Sequence, residues 1–152
     1  MKTILIAEDN PTNRELLREL LEIRGYGVAE ACDGKEALAM VEQAPPDLLL
    51  LDIGMPLMDG FAVVRKLREN PRFTSLPVVA VTAYAMQGDR EKIMNSGFDG
   101  YLSKPINSGL LVQELSRLLA HPNTESVPLN QPWEKQIGTR AARAIVNRQP
   151  KP

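Results

Sequence analysis

Leu48-Leu49-Leu50-Leu51-Asp52 is the stretch whose reading decides the fold. Four apolar residues between polar flanks are too few for a helix. An unbroken apolar run has no solvent face, so a strand here must be covered on both sides, as strands of a parallel sheet are. The run then stops on a carboxylate. Working outward, Ile4-Leu5-Ile6-Ala7 stops at Glu8-Asp9, and Val78-Val79-Ala80-Val81 stops at Thr82. Gly27-Val28-Ala29 and Gly100-Tyr101-Leu102 are weaker runs of the same kind.

Helical patterns separate these runs. Asn10 can cap a helix with Pro11 at its first position, carrying Leu16, Leu17, Leu20, Leu21 and Ile23 and ending before Gly25. Asp33-Gly34-Lys35-Glu36 reads as an acidic capping box leading into Ala37, Leu38 and Val41 before Pro45-Pro46. Asp59 caps a third helix with Phe61, Val64 and Leu67 on one face. Ile93 and Met94 anchor a fourth, which stops at Gly97. Asn107 or Ser108 opens a fifth with Leu111, Leu115, Leu118 and Leu119 inward. Strict alternation of strand and helix predicts an α/β fold: a doubly wound parallel sheet of five strands in a three-layer α/β/α sandwich over residues 1–121.

Composition agrees with a globular chain and narrows its partners. Hydrophobic residues make up 43% and charged residues 24%, ordinary values that argue against a disordered or membrane protein. The net charge of −1 gives no reason to expect nucleic acid or a membrane. The longest apolar runs are far short of a membrane span, and the opening apolar run is too short for a signal peptide. A lone Cys32 and a lone His121 exclude an internal disulfide, a Cys-based zinc site and a Ser-His-Asp triad. The expected compartment is the cytoplasm. Residues 122–152 differ from the rest: they carry five basic and two acidic side chains and five of the 12 prolines. This basic tail is expected to be flexible. The helical spacing of Ile137, Ala141, Ala144 and Ile145 leaves room for a helix that docks on a partner, which Trp133 would report.

In an open parallel sheet, function collects at the carboxyl ends of the strands. Those ends carry Glu8-Asp9, Asp52, Thr82 and Lys104-Pro105. If the first and third strands are neighbours, three carboxylates share one pocket, and one lysine cannot balance them. A hard divalent cation can, and a small set of oxygen ligands suits Mg²⁺. A cation, a lysine and a hydroxyl beside a nucleophilic carboxylate are what phosphoryl transfer requires. The residues themselves therefore point to a Mg²⁺-dependent aspartyl-phosphate site.

Four motifs, in order around residues 9, 52, 82 and 104, carry a resemblance. They are Ile4-Leu5-Ile6-Ala7-Glu8-Asp9-Asn10, Leu51-Asp52-Ile53-Gly54-Met55-Pro56-Leu57-Met58-Asp59-Gly60, Val81-Thr82-Ala83 and Ser103-Lys104-Pro105. Together they resemble the response-regulator receiver domain of two-component signalling over residues 2–120. The resemblance implies the flavodoxin-like strand order 2-1-3-4-5, which places strands 1 and 3 side by side. It implies Asp52 as phosphoacceptor from a phosphohistidine. Asp9, Asp52 and the Gly54 carbonyl become Mg²⁺ ligands, and Glu8 acts through water. Thr82 and Lys104 hold the phosphoryl oxygens, and Ala83 leaves room for them. Tyr101 matches the switch aromatic that turns inward as Thr82 moves. The Lys104–Pro105 peptide is expected to be cis, and Pro56 and Gly60 to shape the loop after Asp52.

Two positions depart from the family pattern. Gly54 has no side chain to steer an attacking water, and Tyr84 is bulky enough to shield the phosphoryl group, so a long-lived phosphoaspartate is expected. The implied partners are a sensor histidine kinase or a histidine phosphotransfer protein, with an output protein left open. A DNA-binding domain would need more than the 31 residues after His121, so direct DNA binding is not expected. A haloacid-dehalogenase-like phosphatase needs a second acid where Gly54 stands, and a flavin binder would meet Glu8-Asp9 where it needs a phosphate loop. The remaining alternative is a pseudo-receiver that docks partners without phosphorylation.

Overall fold

The computed structural model describes residues 1–83 and 87–119. Tyr84, Met86, His121 and the 122–152 tail with Trp133 lie outside the described residues. Five parallel strands, β1 (Thr3–Ala7), β2 (Gly27–Ala31), β3 (Leu48–Asp52), β4 (Val78–Thr82) and β5 (Gly100–Ser103), form one sheet in the order β2-β1-β3-β4-β5. Between them run α1 (Pro11–Ile23), α2 (Gly34–Gln43), α3 (Gly60–Glu69) and α4 (Gln87–Asn95), with a short 3-10 turn at Pro71–Phe73. Helix α5 (Ser108–Leu118) follows. This is the doubly wound, flavodoxin-like topology the strand–helix alternation predicts. By internal contacts the chain divides into Met1–Asn107 and a unit that begins at Ser108.

Continuous apolarity in β3 and β4 has the expected consequence: all five residues of each are buried. Leu48, Leu49, Leu50 and Leu51 are each at most 1% exposed. Burying a leucine contributes about 1.5–3 kcal/mol relative to leaving it in water, so the central strands carry much of the driving force. Alternate side chains serve opposite faces. Leu5, Ala7, Leu49, Leu51, Val78 and Ala80 pack with Ala37 and Val41 of α2, Val63, Val64 and Leu67 of α3, and Ile93 of α4. Ile4, Ile6, Leu48, Leu50, Val79 and Val81 point the other way and are equally buried. On that side α1 lies along β1 and β2 and buries Leu17 and Leu21.

Capping fixes where the helices start. The Asn10 side chain accepts the Asn13 N–H at 3.0 Å, and Pro11 occupies the first helical position. Asp33 accepts the Glu36 N–H at 2.7 Å, while Glu36 reaches back to the Cys32 N–H at 2.8 Å. Asp59 accepts the Ala62 N–H at 2.9 Å.

The helical faces are narrower than the sequence pattern implied. Leu16 is 49% and Ile23 48% exposed. At about 100° per residue, Leu16 sits a quarter-turn from Leu17, and Ile23 lies more than half a turn past Leu21. Met94, one step from the buried Ile93, is 44% exposed for the same reason. In α5, Leu111, Val112 and Leu115 are buried. Leu118 and Leu119 are only partly so, because the helix ends at Leu118.

Candidate functional site

The strand order places the carboxyl ends of β1 and β3 side by side, with β4 and β5 following. Ala7 pairs in register with Leu51, Asp52 with Val81 and Thr82 with Ser103. The residues just past these positions therefore converge. Carboxylate oxygens of Glu8, Asp9 and Asp52 all lie within 4.8 Å of one another. Glu8 and Asp52 are buried and Asp9 is exposed, so the cluster opens to solvent on the Asp9 side. The Lys104 ammonium reaches in from the end of β5, 2.8 Å from Glu8 Oε1 and 3.2 Å from Asp52 Oδ2.

The two buried acids are aimed by backbone as well. Asp52 Oδ1 accepts the Gly54 N–H at 3.0 Å, and Glu8 Oε2 accepts the Asn10 N–H at 3.2 Å. A Cβ at Gly54 would meet only Asp52 Oδ1, at 3.7 Å, so the exposed flank of Asp52 is roomy. Gly60 shapes the loop from the other end. A Cβ there would come within 2.8 Å of the Ile53 Cα, so only glycine lets α3 start this close beneath Asp52. Between them Pro56 is exposed, Met55 is buried, and Leu57 is fully exposed with a left-handed φ of 69°.

The charge arrangement is unbalanced. Burial, then a side-chain hydrogen bond with Asp52, push the Glu8 carboxyl up to about 7 against the partial relief from Lys104 and the Asn10 N–H. Burial alone would lower the Lys104 ammonium, but Glu8 and Asp52 outweigh it and hold its pKa above the ordinary lysine value. Lys104 thus stays protonated, and one positive charge faces three carboxylates. Glu8 Oε1 is buried and makes no hydrogen bond of good geometry despite the nearby ammonium. An all-oxygen cluster of three carboxyl groups with a single ammonium beside it fits a hard divalent cation such as Mg²⁺.

The remaining candidates flank this cluster. Thr82 is buried at the end of β4, and Ala83 follows it, exposed. The Lys104 N–H donates to the Thr82 carbonyl at 2.7 Å, and the Lys104–Pro105 peptide is cis. Tyr101 is set further back on β5, opposite Ala80; it is half-buried against the core, with the Arg90 guanidinium 5.2 Å from its ring centroid. Sequence reading did not single out Arg90. It also missed Arg14, whose Nη1 donates to the Glu8 carbonyl at 2.8 Å. Nothing in a one-dimensional pattern separates Arg14 from Arg18, one helical turn on, since both pair with Glu30.

A five-stranded doubly wound sheet carries an acid cluster and a lysine at its carboxyl edge, as the four sequence motifs imply. Residues 4–116 match the family described as the response regulator receiver domain. The chain is 38% identical over 118 residues to the polar-differentiation response regulator DivK of Brucella anthropi, covering 78% of this chain and 96% of that one. Among solved structures, it is similar to the chemotaxis protein CheY4 of Vibrio cholerae, with a TM-score of 0.73 and 30% identity over 78% of this chain and 98% of that chain. It is also similar to the receiver domain of the sensor histidine kinase PA1611 of Pseudomonas aeruginosa, whose active-site cleft holds a coordinated magnesium ion. That match has a TM-score of 0.73 and 34% identity over 79% of this chain and 98% of that chain. The chain belongs to the response-regulator receiver family of two-component signalling. It is a signalling domain rather than a conventional enzyme, and among the described residues no helix is long and apolar enough to cross a membrane.

Proposed function

We propose that this chain is a phosphoacceptor response regulator: Asp52 takes a phosphoryl group from a phosphohistidine with the help of Mg²⁺, and the modified domain changes its protein contacts or passes the phosphate on. The observation that supports this most directly is the convergence of Glu8, Asp9 and Asp52 within 4.8 Å, bridged by Lys104. Mg²⁺, when bound, would neutralise the carboxylates and draw charge from the phosphoryl oxygens. Asp9, Asp52 and the Gly54 carbonyl would hold it directly and Glu8 through water.

The chain's own residues supply the rest. A carboxylate oxygen of Asp52 forms the new bond to phosphorus as the bond to the donor imidazole nitrogen breaks, and that nitrogen takes up a proton. Lys104, kept protonated by its acidic neighbours, transfers its ion pair from Asp52 to a phosphoryl oxygen. The Thr82 hydroxyl donates to another, and Ala83 leaves space for it. Two conformations then differ in free energy by what Thr82 and Lys104 gain from the phosphoryl group, with Tyr101 as the side chain that couples the site to the partner surface. Tyr84 is proposed to shield the phosphoryl group, lengthening its lifetime.

The donor is proposed to be a sensor histidine kinase or histidine phosphotransfer protein in the cytoplasm. Residues 1–121 form the receiver and 122–152 a basic tail in this reading. The test is intact mass after incubation with Mg²⁺ and acetyl phosphate. One added phosphoryl group on the wild type, absent with EDTA and absent in Asp52→Asn, is the expected result. A folded wild type that gains nothing and does not bind beryllofluoride overturns it and leaves a phosphorylation-independent docking module.

A further inference from the structure

The acidic turn at the end of β1 is held in place from outside the cluster. The Glu8 N–H donates to the Ala31 carbonyl at 3.1 Å, which ties one side of the residue to the edge strand β2. The other side, the Glu8 carbonyl, accepts from Arg14 Nη1 at 2.8 Å. Arg14 sits one turn into α1, and its side chain runs back past the helix start. Its Nε is fixed in turn by Glu30 Oε1 of β2 at 3.2 Å. Arg14 and Glu30 are 17% and 26% exposed, so both are partly withdrawn from water. Glu30 also pairs with Arg18 through Oε2, so its position does not depend on Arg14 alone.

We propose that Arg14 is a positioning residue for the metal site: braced by Glu30, its guanidinium holds the Glu8 carbonyl so that Glu8 and Asp9 stay aimed at the cation. The inference rests on the reading of Glu8, Asp9 and Asp52 as a Mg²⁺ site. Its physical basis is the planar guanidinium fork, which serves the Glu8 carbonyl and the Glu30 carboxylate with different nitrogens at once. Three carboxylates packed this closely repel one another, and the turn that carries two of them relaxes outward unless its backbone is pinned. A partner that orients ligands from behind is commonly worth tenfold or more in metal affinity.

Two effects of removing Arg14 have opposite signs, which makes the inference decidable. Arg14 is a cation close to a cation site, so by charge alone its loss tightens Mg²⁺ binding. By positioning, its loss weakens binding. Mg²⁺ titration followed by amide shifts of residues 8, 9 and 52, together with calorimetry, reads the sign for wild type, Arg14→Met, Arg14→Lys and Arg18→Met. The expected result is about tenfold weaker binding for Arg14→Met. Arg14→Lys, which keeps the charge but not the fork, is expected to weaken binding by a smaller factor. Arg18→Met removes the same charge from Glu30 without touching Glu8 and is expected to bind as the wild type does. Unchanged or tighter binding by a folded Arg14→Met overturns the proposal. Should Arg14→Met not fold, wild-type affinity in Arg14→Lys overturns it instead. A wild type that binds no Mg²⁺ at these residues refutes the metal-site reading itself, a distinct outcome.

Discussion

The raised Glu8 pKa makes stability of the metal-free protein depend on pH in an unusual direction. An ordinary carboxylate in a salt bridge has a lowered pKa and loses stability on acidification. Glu8 is the reverse. Burial and Asp52 lift its carboxyl from 4.5 to about 7, so the folded state binds the proton more tightly than the unfolded state does. Stability then falls as pH rises through the window between about 4.5 and 7, because the unfolded chain gives up its proton first. At 1.36 kcal/mol per unit the ceiling is about 3 kcal/mol. Solvent entering on the Asp9 side and proton sharing with Asp52 reduce this to about 1–2 kcal/mol. The raised Lys104 pKa does not contribute in this window: its stabilisation is fully present below the unfolded lysine value and is lost only at alkaline pH. The assay is thermal and urea unfolding in EDTA across this pH range for wild type and Glu8→Gln, with and without Mg²⁺. The wild type should lose stability toward neutral pH relative to Glu8→Gln, and Mg²⁺ should restore it at neutral pH more than at acid pH. A wild type that parallels Glu8→Gln throughout, or gains on it toward neutral pH, refutes the reasoning.

Other perturbations test separate parts of the account. Lys104→Met removes the ammonium beside Glu8 and Asp52; phosphorylation by acetyl phosphate should slow by about tenfold or more while Mg²⁺ still binds, as stopped-flow and titration would show. Gly60→Ala drives a methyl to within 2.8 Å of the Ile53 Cα and should cost about 1–3 kcal/mol in urea unfolding. Tyr101→Ala should accept phosphate at Asp52 normally yet change partner affinity, measured in both phosphorylation states; unchanged affinity in both counts against its coupling role. Gly54→Asn places a polar group on the open flank of Asp52 and should shorten the lifetime of the labelled phosphoaspartate.

The fold was legible because β1, β3 and β4 are buried on both faces, and continuous burial leaves a plain signature in sequence. The unbroken run Leu48–Leu51 and its terminal Asp52 placed both the central strand and a carboxylate of the acid cluster. The acid cluster was legible for the same reason, since the topology delivers strand ends to one edge. Helical faces were read less well. Leu16, Ile23 and Met94 are apolar yet exposed, because apolarity alone does not state which way a residue points around a helix. Two side-chain partners were not legible. Arg14 on the Glu8 carbonyl and Arg90 over Tyr101 depend on how separate segments meet in space. The raised Glu8 pKa is of the same kind, because it comes from burial among neighbours distant in sequence. The positive φ of Leu57 has no sequence signal either, since leucine is not a residue that favours the left-handed region.

The central claim is that Asp52 itself becomes phosphorylated. Borohydride reduces an aspartyl phosphate to homoserine, which survives digestion and marks the acceptor. After treatment with Mg²⁺ and acetyl phosphate, reduction and peptide sequencing by mass spectrometry should find homoserine at position 52, no homoserine at Asp9 and no 2-amino-5-hydroxypentanoate at Glu8, and the product at 52 only when Mg²⁺ is present. A reduced alcohol at another carboxylate, or none in a protein that is folded and binds Mg²⁺, would contradict the account.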